Sequence, residues 1–191
     1  MTIHENQVNP LFDGIINEGD LSFWANSELA CQFLHYFAIQ LMRTPKYACL
    51  VDDDKSQFMI EHRDLMYFTR FSAAYKLGKI LVGNRNDYEV SILHNDSPLT
   101  FITGDQPLLN LCGTTGAFDF YYPLAPKVAI LYAKKGRLHD TYSWLEAIGS
   151  REVDWLNKRL ANACVNQVYA DSKETLLIGG YKAGYEAGIS I

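Results

Sequence analysis

A polar pair interrupts the apolar face of one predicted helix. Gln40 and Arg43 are three residues apart, so their side chains are neighbours, and Gln40 falls in the same stripe as Phe33. A guanidinium group at a buried face requires a carboxylate partner, because burying an unpaired charge is costly. We expect that partner to be Glu5 or Asp105. Two interpretations remain open: a core ion pair at the end of a buried helix, or a polar site in a cleft.

Two further polar residues, Asp105 and Asn157, stand where chemistry or structure could require them. Asp105 follows Gly104 at the end of a predicted strand, and Pro107 keeps the preceding residue, Gln106, extended. An acid at a strand end is a common place for chemistry, and it is equally a turn former that binds backbone amides. Asn157 lies on the apolar side of a predicted helix, where its amide needs several partners. It therefore either orients a carboxylate or clamps two elements together.

Composition excludes several other classes of protein. The net charge of −5 and the pI near 5.5 argue against non-specific nucleic-acid binding, which depends on neutralising phosphates. No apolar run is long enough to span a bilayer, and the first residues lack the basic and apolar regions of a secretory signal. The cysteines have no metal-ligand spacing and no C-x-x-C pair, which favours a reduced, cytoplasmic protein. They are Cys31, Cys49, Cys112 and Cys164.

Helical periodicity is clear in four segments, which must position these side chains. We predict helices at residues 5–18, 26–43, 58–82 and 151–167. The second begins at an Asn26 or Ser27 cap and ends before Pro45, because the residue preceding a proline is disfavoured in a helix. The inner face of the third is predicted to consist of Met66, Ala73, Leu77, Ile80 and Leu81.

Between the third and fourth helices the pattern changes to strands. Residues 89–94 and 99–103 are predicted to form a hairpin, and two more strands are predicted at 118–122 and 127–133. Prolines between the last two strands indicate a bend or bulge. The sequence thus predicts an α+β fold, with N-terminal helices packed on a mostly antiparallel sheet and a long C-terminal helix.

The length of the chain favours one domain with one core. We predict a single domain over residues 1–174, followed by a glycine-rich tail at 175–191 that is either frayed or a partner-binding arm. One hydrophobic layer is expected to join helices and sheet. Its predicted members are Phe33, Phe37, Leu41, Leu77, Ile102, Ile130 and Leu160.

Several short strings of the sequence resemble a bacterial family known as domain of unknown function family 4238. They lie at residues 3–6, 37–45, 101–107, 122–126 and 156–158, and the most specific are QxxRTP and ITGDQP. Members of that family begin with a further segment that carries a His-Tyr-x-Pro-like string. On this resemblance we expect the chain to lack that segment.

The resemblance implies that five polar residues gather in space: Glu5, Gln40, Arg43, Asp105 and Asn157. Oxygens from Asp105 and Glu5 would suit a divalent ion such as Mg²⁺ or Mn²⁺, with a guanidinium group for a phosphate beside it. This favours a metal-dependent phosphodiester hydrolase or nuclease. The alternative is a non-catalytic binding, immunity or regulatory protein in which the cluster is a structural polar network. A protein partner or a homodimer would fit that alternative.

Overall fold

The computed structural model describes residues 2–47, 63–112, 118–142 and 148–184 of the 191-residue chain. The chain divides into two compact units. Residues Met1–Arg85 form what we call the helical unit, and residues Asn86–Ile191 form the β unit. Among the described residues, no helix combines the length and the hydrophobicity that crossing a membrane requires.

The helical unit contains the long helices α1 (Thr2–Glu18), α2 (Ser27–Met42) and α3 (Arg63–Gly83), with a 3₁₀ helix at Ser22–Trp24 between the first two. Asn26 caps α2, since its side-chain oxygen accepts the backbone amides of Glu28 and Leu29 at 2.9 and 3.2 Å. The predictions of α1 and α2 are confirmed to within a few residues. The first five residues predicted for the third helix, 58–62, lie outside the described residues.

The core of the helical unit is centred on the aromatic side chains of α2. The ring of Phe33 lies 4.4 Å from the ring of Phe37 and 4.9 Å from that of Phe23, centroid to centroid, and all three side chains are buried. In α3, Leu77 and Leu81 are buried as predicted, but Ile80 is exposed. The prediction for Ile80 is wrong because 100° of rotation per residue places it beside the buried stripe and not within it.

The β unit contains a four-stranded antiparallel sheet in the order β1-β5-β4-β3, and a separate two-stranded pair of β2 and β6. The strands are β1 (Tyr88–His94), β2 (Thr103–Gly104), β3 (Leu109–Asn110), β4 (Phe120–Ala125), β5 (Val128–Lys134) and β6 (Val168–Tyr169). The register between β4 and β5 shifts between Pro123 and Ala125, so the predicted bulge is confirmed. The prediction of a mostly antiparallel sheet is also confirmed, since every described strand pair is antiparallel.

The predicted hairpin of residues 89–94 and 99–103 is wrong. β1 pairs with β5 instead, with Val90 opposite Tyr132. A local turn does form, since the side-chain oxygen of Asn95 accepts the amide of Ser97 at 2.9 Å. Beyond the turn, however, the amide of Phe101 donates to the carbonyl of Pro126, so the chain leaves β1 rather than pairing with it. Periodicity shows that a segment is extended, and it does not show which segment becomes its partner.

Three helices complete the β unit: α4 (Arg137–Thr141), α5 (Ser150–Ala163) and α6 (Lys173–Gly179). Leu156 and Leu160 of α5 pack in one buried cluster with Tyr121 and Leu131 of the sheet and with Ile102. The amphipathic spacing of α5 therefore covers one face of the sheet.

The predicted long C-terminal helix is not found, because the last helix, α6, has only seven residues. The helix predicted at 151–167 ends at Ala163, and Cys164 is already extended. Beyond α6, Tyr181 is buried in the same cluster as α5, and Gly184 donates its amide to the carbonyl of Ala161 at 3.3 Å. Part of the glycine-rich tail is thus packed on α5.

All seven residues predicted for the core are buried. Four belong to the helical unit and three to the β unit. Within the β unit, Ile102 and Leu160 lie in one cluster. The burial of these seven residues is therefore confirmed, whereas the single hydrophobic layer expected to join helices and sheet stays a prediction.

Candidate functional site

Asp105 stands at the end of β2 and binds the backbone that follows α5. Its Oδ1 accepts the amide of Val165 at 3.0 Å, and its Oδ2 accepts the amide of Asn166 at 2.7 Å. The amide of Asp105 in turn donates to the carbonyl of Gln167 at 3.1 Å. Both carboxylate oxygens are therefore engaged by backbone donors, as in a turn-forming aspartate.

Gly104 allows this close approach. A Cβ atom at this position would lie 2.5 Å from the Sγ of Cys164 and 2.5 Å from the carbonyl oxygen of Gln167. Any side chain would push the two segments apart and would disturb the pairing of β2 with β6, in which Gly104 lies opposite Val168. The glycine before Asp105 thus serves close packing of the two segments.

Asn157 connects α5 to the segment before β2. It is 0% exposed. Its Oδ1 accepts the amide of Ile102 at 3.1 Å, and its Nδ2 donates to the carbonyl of Thr100 at 2.8 Å. A single side chain thereby satisfies two backbone groups that have no strand partner at this point. Of the two roles open from the sequence, these contacts are those of a clamp.

The other three predicted site residues belong to the helical unit. Gln40 is buried on α2, whereas Arg43 is exposed and forms the C-cap of that helix. Glu5 lies on α1, and its side chain is outside the described part of the structure. The expected gathering of these residues with Asp105 and Asn157, which belong to the β unit, stays a prediction.

An ion pair between a buried carboxylate and a half-buried arginine, which sequence reasoning missed, lies in the β unit. Asp119 is 0% exposed, and its Oδ2 lies 3.1 Å from Nη2 of Arg137 and accepts the hydroxyl of Tyr142 at 2.9 Å. Its Oδ1 and the Nε of Arg137 are buried without a hydrogen-bond partner within the described residues. The available signal was one acidic residue between Phe118 and Phe120, at the start of an apolar strand.

Both members of this ion pair affect the pKa of the nearby thiol of Cys112. Burial raises the pKa of the Cys112 thiol to about 11, and the hydrogen bond and charge of Asp119 act in the same direction. Since the thiolate is the nucleophile of cysteine chemistry, Cys112 stays an unreactive thiol near neutral pH. Burial also raises the pKa of Tyr142, so its hydroxyl remains a donor to Asp119.

The helical unit contains a cavity of about 390 Å³, which we call the helical pocket. Its lining comes from α1, α2 and α3, and consists of Gln7, Glu28, Cys31, Gln32, His35, Ile39, Phe71, Ala74 and Tyr75. Most of the lining surface is apolar. Phe71 and Tyr75 are one helical turn apart, and they are 61% and 51% exposed. An apolar ligand in the cavity would cover these aromatic side chains, and removing their surface from water would favour binding.

His35 is the histidine of the helical pocket. Its Nδ1 lies 2.9 Å from the carbonyl oxygen of Cys31, one turn earlier on α2. On the other side, the ring lies against Gly78 of α3, where a Cβ atom would be only 2.6 Å from Cδ2. The imidazole is therefore held between two helices, in a site whose remaining surface is largely apolar.

Comparison with known proteins gives one match. A family model described as "Protein of unknown function (DUF4238)" matches residues 1–174. The chain belongs to the DUF4238 family. No curated protein and no solved structure matches it. Membership of DUF4238 confirms the family resemblance seen in the sequence, and its description assigns no reaction to the polar residues or to the helical pocket.

The described residues of this DUF4238 protein contain no group of three or more His, Cys, Asp or Glu side chains that could hold a metal ion. Asp105 and Asn157 use their side-chain atoms to join the strand segment to α5. The polar residues of the β unit thus have structural roles. The helical unit, in contrast, presents a concave and mostly apolar surface. Such a surface suits ligand binding, since ligand sites are mostly apolar with a few polar groups.

Proposed function

We propose that this protein is a non-catalytic binding protein whose helical pocket takes an apolar small molecule. In this proposal Asp105 and Asn157 belong to a structural polar network. The observation that carries the proposal is the pocket itself. Its volume of about 390 Å³ lies within the range of ligand sites, about 300–1,000 Å³, and its surface is mostly apolar.

The contacts of Asp105 support this function over phosphodiester hydrolysis with Mg²⁺ or Mn²⁺. A metal ligand at Asp105 would compete with the amides of Val165 and Asn166 for the same carboxylate. Asn157 already accepts one backbone bond and donates another, so binding a metal through its oxygen would disturb the clamp. Both residues have a sufficient structural reason to be present without a catalytic role.

The cysteines are consistent with the cytoplasmic setting that forms part of the proposal. Cys31, Cys112 and Cys164 are free thiols. Cys31 lines the helical pocket, so a reducing compartment would preserve that surface.

Naphthalene is a suitable probe because it is apolar, rigid and fluorescent. We expect the wild-type protein to bind it, and Ala74→Leu to weaken binding at least about tenfold, because the added side chain occupies the pocket. Ala73→Leu is the matched control, since Ala73 precedes Ala74 on α3 but does not line the pocket. Absence of binding to the wild type, or equal weakening by the two substitutions, would overturn the proposal.

A further inference from the structure

We infer that the ligand of the helical pocket is a molecule with a linear alkyl chain, which lies lengthwise along α2. This inference rests on the proposed function and adds the chemical class of the apolar ligand. Its basis is the shape of the pocket, which is long and narrow, together with its mostly apolar surface.

The length of the pocket follows from the residues that α2 contributes to its lining. They are Glu28, Cys31, Gln32, His35 and Ile39. These positions recur at steps of three or four residues, so they form one face of the helix over three turns. A helix rises about 1.5 Å per residue, and the distance along α2 from Glu28 to Ile39 is therefore about 16 Å.

The width of the pocket follows from its volume. Spread over about 16 Å, a volume of about 390 Å³ corresponds to a mean cross-section of about 24 Å², so the pocket is about three times as long as it is wide. Carbon atoms in contact are about 3.5–4.0 Å apart, so an extended alkyl chain fits this width. A protein helix, about 10–12 Å in diameter, would need on the order of 1,500 Å³ over the same length. The volume thus favours a chain over a helix.

The length of the pocket also indicates the length of the chain. Carbon–carbon single bonds of about 1.52 Å at angles near 111° advance about 1.25 Å per carbon, so about 16 Å corresponds to twelve or thirteen carbons. Half the hydrocarbon thickness of a bilayer, about 15 Å, is similar. The pocket therefore matches the alkyl chain of a lipid-like molecule such as a fatty alcohol.

The aromatic side chains of α3 favour a chain that spans the whole pocket. The ring of Tyr75 lies 6.2 Å from that of His35, which is near the middle of the α2 wall. Phe71 lies one turn before Tyr75, and both rings line the pocket and are more than half exposed. A linear chain would contact these rings and the rest of the α2 wall together, whereas a compact ring system would leave part of that wall in water.

The test measures how 1-alkanols displace naphthalene from the wild-type protein. From 1-hexanol to 1-dodecanol, we expect the affinity to rise about three- to fourfold for each added carbon, the factor for burying one CH₂ group. Beyond about thirteen carbons the rise should stop, because further carbons would project out of the pocket. Cyclododecanol has the carbon number and the hydroxyl group of 1-dodecanol in a compact ring, so it should bind at least about tenfold more weakly.

Cys31→Leu should shorten the usable part of the pocket. Ile39 is about 12 Å along α2 from Cys31, so the rise in affinity should end at about nine carbons in this variant. Ser27→Leu is the matched control, because Ser27 is exposed at the start of α2 and does not line the pocket. Should Cys31→Leu fail to fold, nuclear Overhauser effects in the wild type should connect the two ends of bound 1-dodecanol to Glu28 and Ile39 separately.

The outcomes separate this inference from the proposed function. It would be overturned by 1-alkanols that do not displace naphthalene, by equal affinity for 1-dodecanol and cyclododecanol, or by a wild-type rise that ends by about eight carbons. A Cys31→Leu series equal to the wild-type series, or contacts of both chain ends with the same residue, would overturn it as well. In each case naphthalene binding that Ala74→Leu weakens would still support the pocket, whereas absence of naphthalene binding would overturn the proposed function itself.

Discussion

The Oδ1 of Asp105 lies 3.0 Å from the backbone amide of Val165, two residues after the end of α5. The amide of Asn166 donates to Oδ2, so both carboxylate oxygens of Asp105 accept backbone hydrogen bonds. The sequence context of Asp105 had suggested a metal ligand instead. The carboxylate of Asp105 therefore joins the end of β2 to the segment that follows α5. This contact gives Asp105 a defined structural role that can be measured.

The substitution Asp105→Asn tests that role. An amide group would place a donor opposite the amide of Asn166, so we expect a loss of about 1–3 kcal/mol in the free energy of unfolding. Asp96→Asn, an exposed acid in the same unit, should change stability by less than about 0.5 kcal/mol. Urea denaturation measures both.

The same variant distinguishes binding from metal-dependent hydrolysis. Under the proposed function, millimolar Mg²⁺ or Mn²⁺ should leave the wild-type melting temperature unchanged, because the side-chain oxygens of Asp105 and Asn157 already accept backbone hydrogen bonds and are not available to bind an ion. A rise in the wild type that Asp105→Asn abolishes would instead support the hydrolase. Thermal melts with and without metal provide the comparison.

Asn157→Leu should destabilise the β unit strongly. The substitution keeps the approximate volume but leaves the amide of Ile102 and the carbonyl of Thr100 without their buried partner. We expect a loss of about 2–5 kcal/mol in the free energy of unfolding. Asn162→Leu, at an exposed position of the same helix, is the matched control. Similar effects of the two substitutions would contradict the clamp.

Two phenylalanines of the helical unit should respond in opposite ways. Phe37 is fully buried, so Phe37→Ala should reduce the free energy of unfolding by about 3–5 kcal/mol. Phe71 is exposed beside the pocket, so Phe71→Ala should leave stability within about 1 kcal/mol and weaken naphthalene binding. A loss below about 1 kcal/mol for Phe37→Ala would show that α2 is peripheral.

The reactivity of Cys112 should depend on pH in a way that reports its environment. Burial and the neighbouring Asp119 raise its pKa to about 11, so the thiolate fraction is small at neutral pH and grows as the pH approaches that value. At pH 8 a thiol with that pKa is about 0.1% ionised, against about a quarter for an ordinary cysteine. Alkylation by iodoacetamide, followed by mass spectrometry from pH 7 to 11, measures the profile.

Asp119→Asn should make Cys112 more reactive. Removing the negative charge and the carboxylate hydrogen bond takes away two causes that raise the pKa, so the alkylation profile should shift to lower pH. A wild-type profile centred near pH 8.5, or one that the substitution does not move, would contradict the coupling between the two residues.

Local sequence features determined much of the fold. The cap at Asn26 and the apolar stripe after it located α2, and the spacing of Leu156 and Leu160 located the buried face of α5. The bulge near Pro123 also followed from local chemistry, because proline lacks the donor that a regular ladder requires. Such features depend on residues close in the chain, and their physical causes act within one or two turns.

The partners of these elements were decided only by the tertiary structure. The turn at Asn95 did not produce a hairpin, because the amide of Phe101 bonds to Pro126 and the side chain of Asn157 takes two backbone groups of the following segment. The pairing of Asp119 with Arg137 and the orientation of His35 depend on contacts of the same kind. A sequence pattern shows that a residue is buried or polar, whereas its role depends on which distant atoms meet it, and the packing of the whole unit determines that.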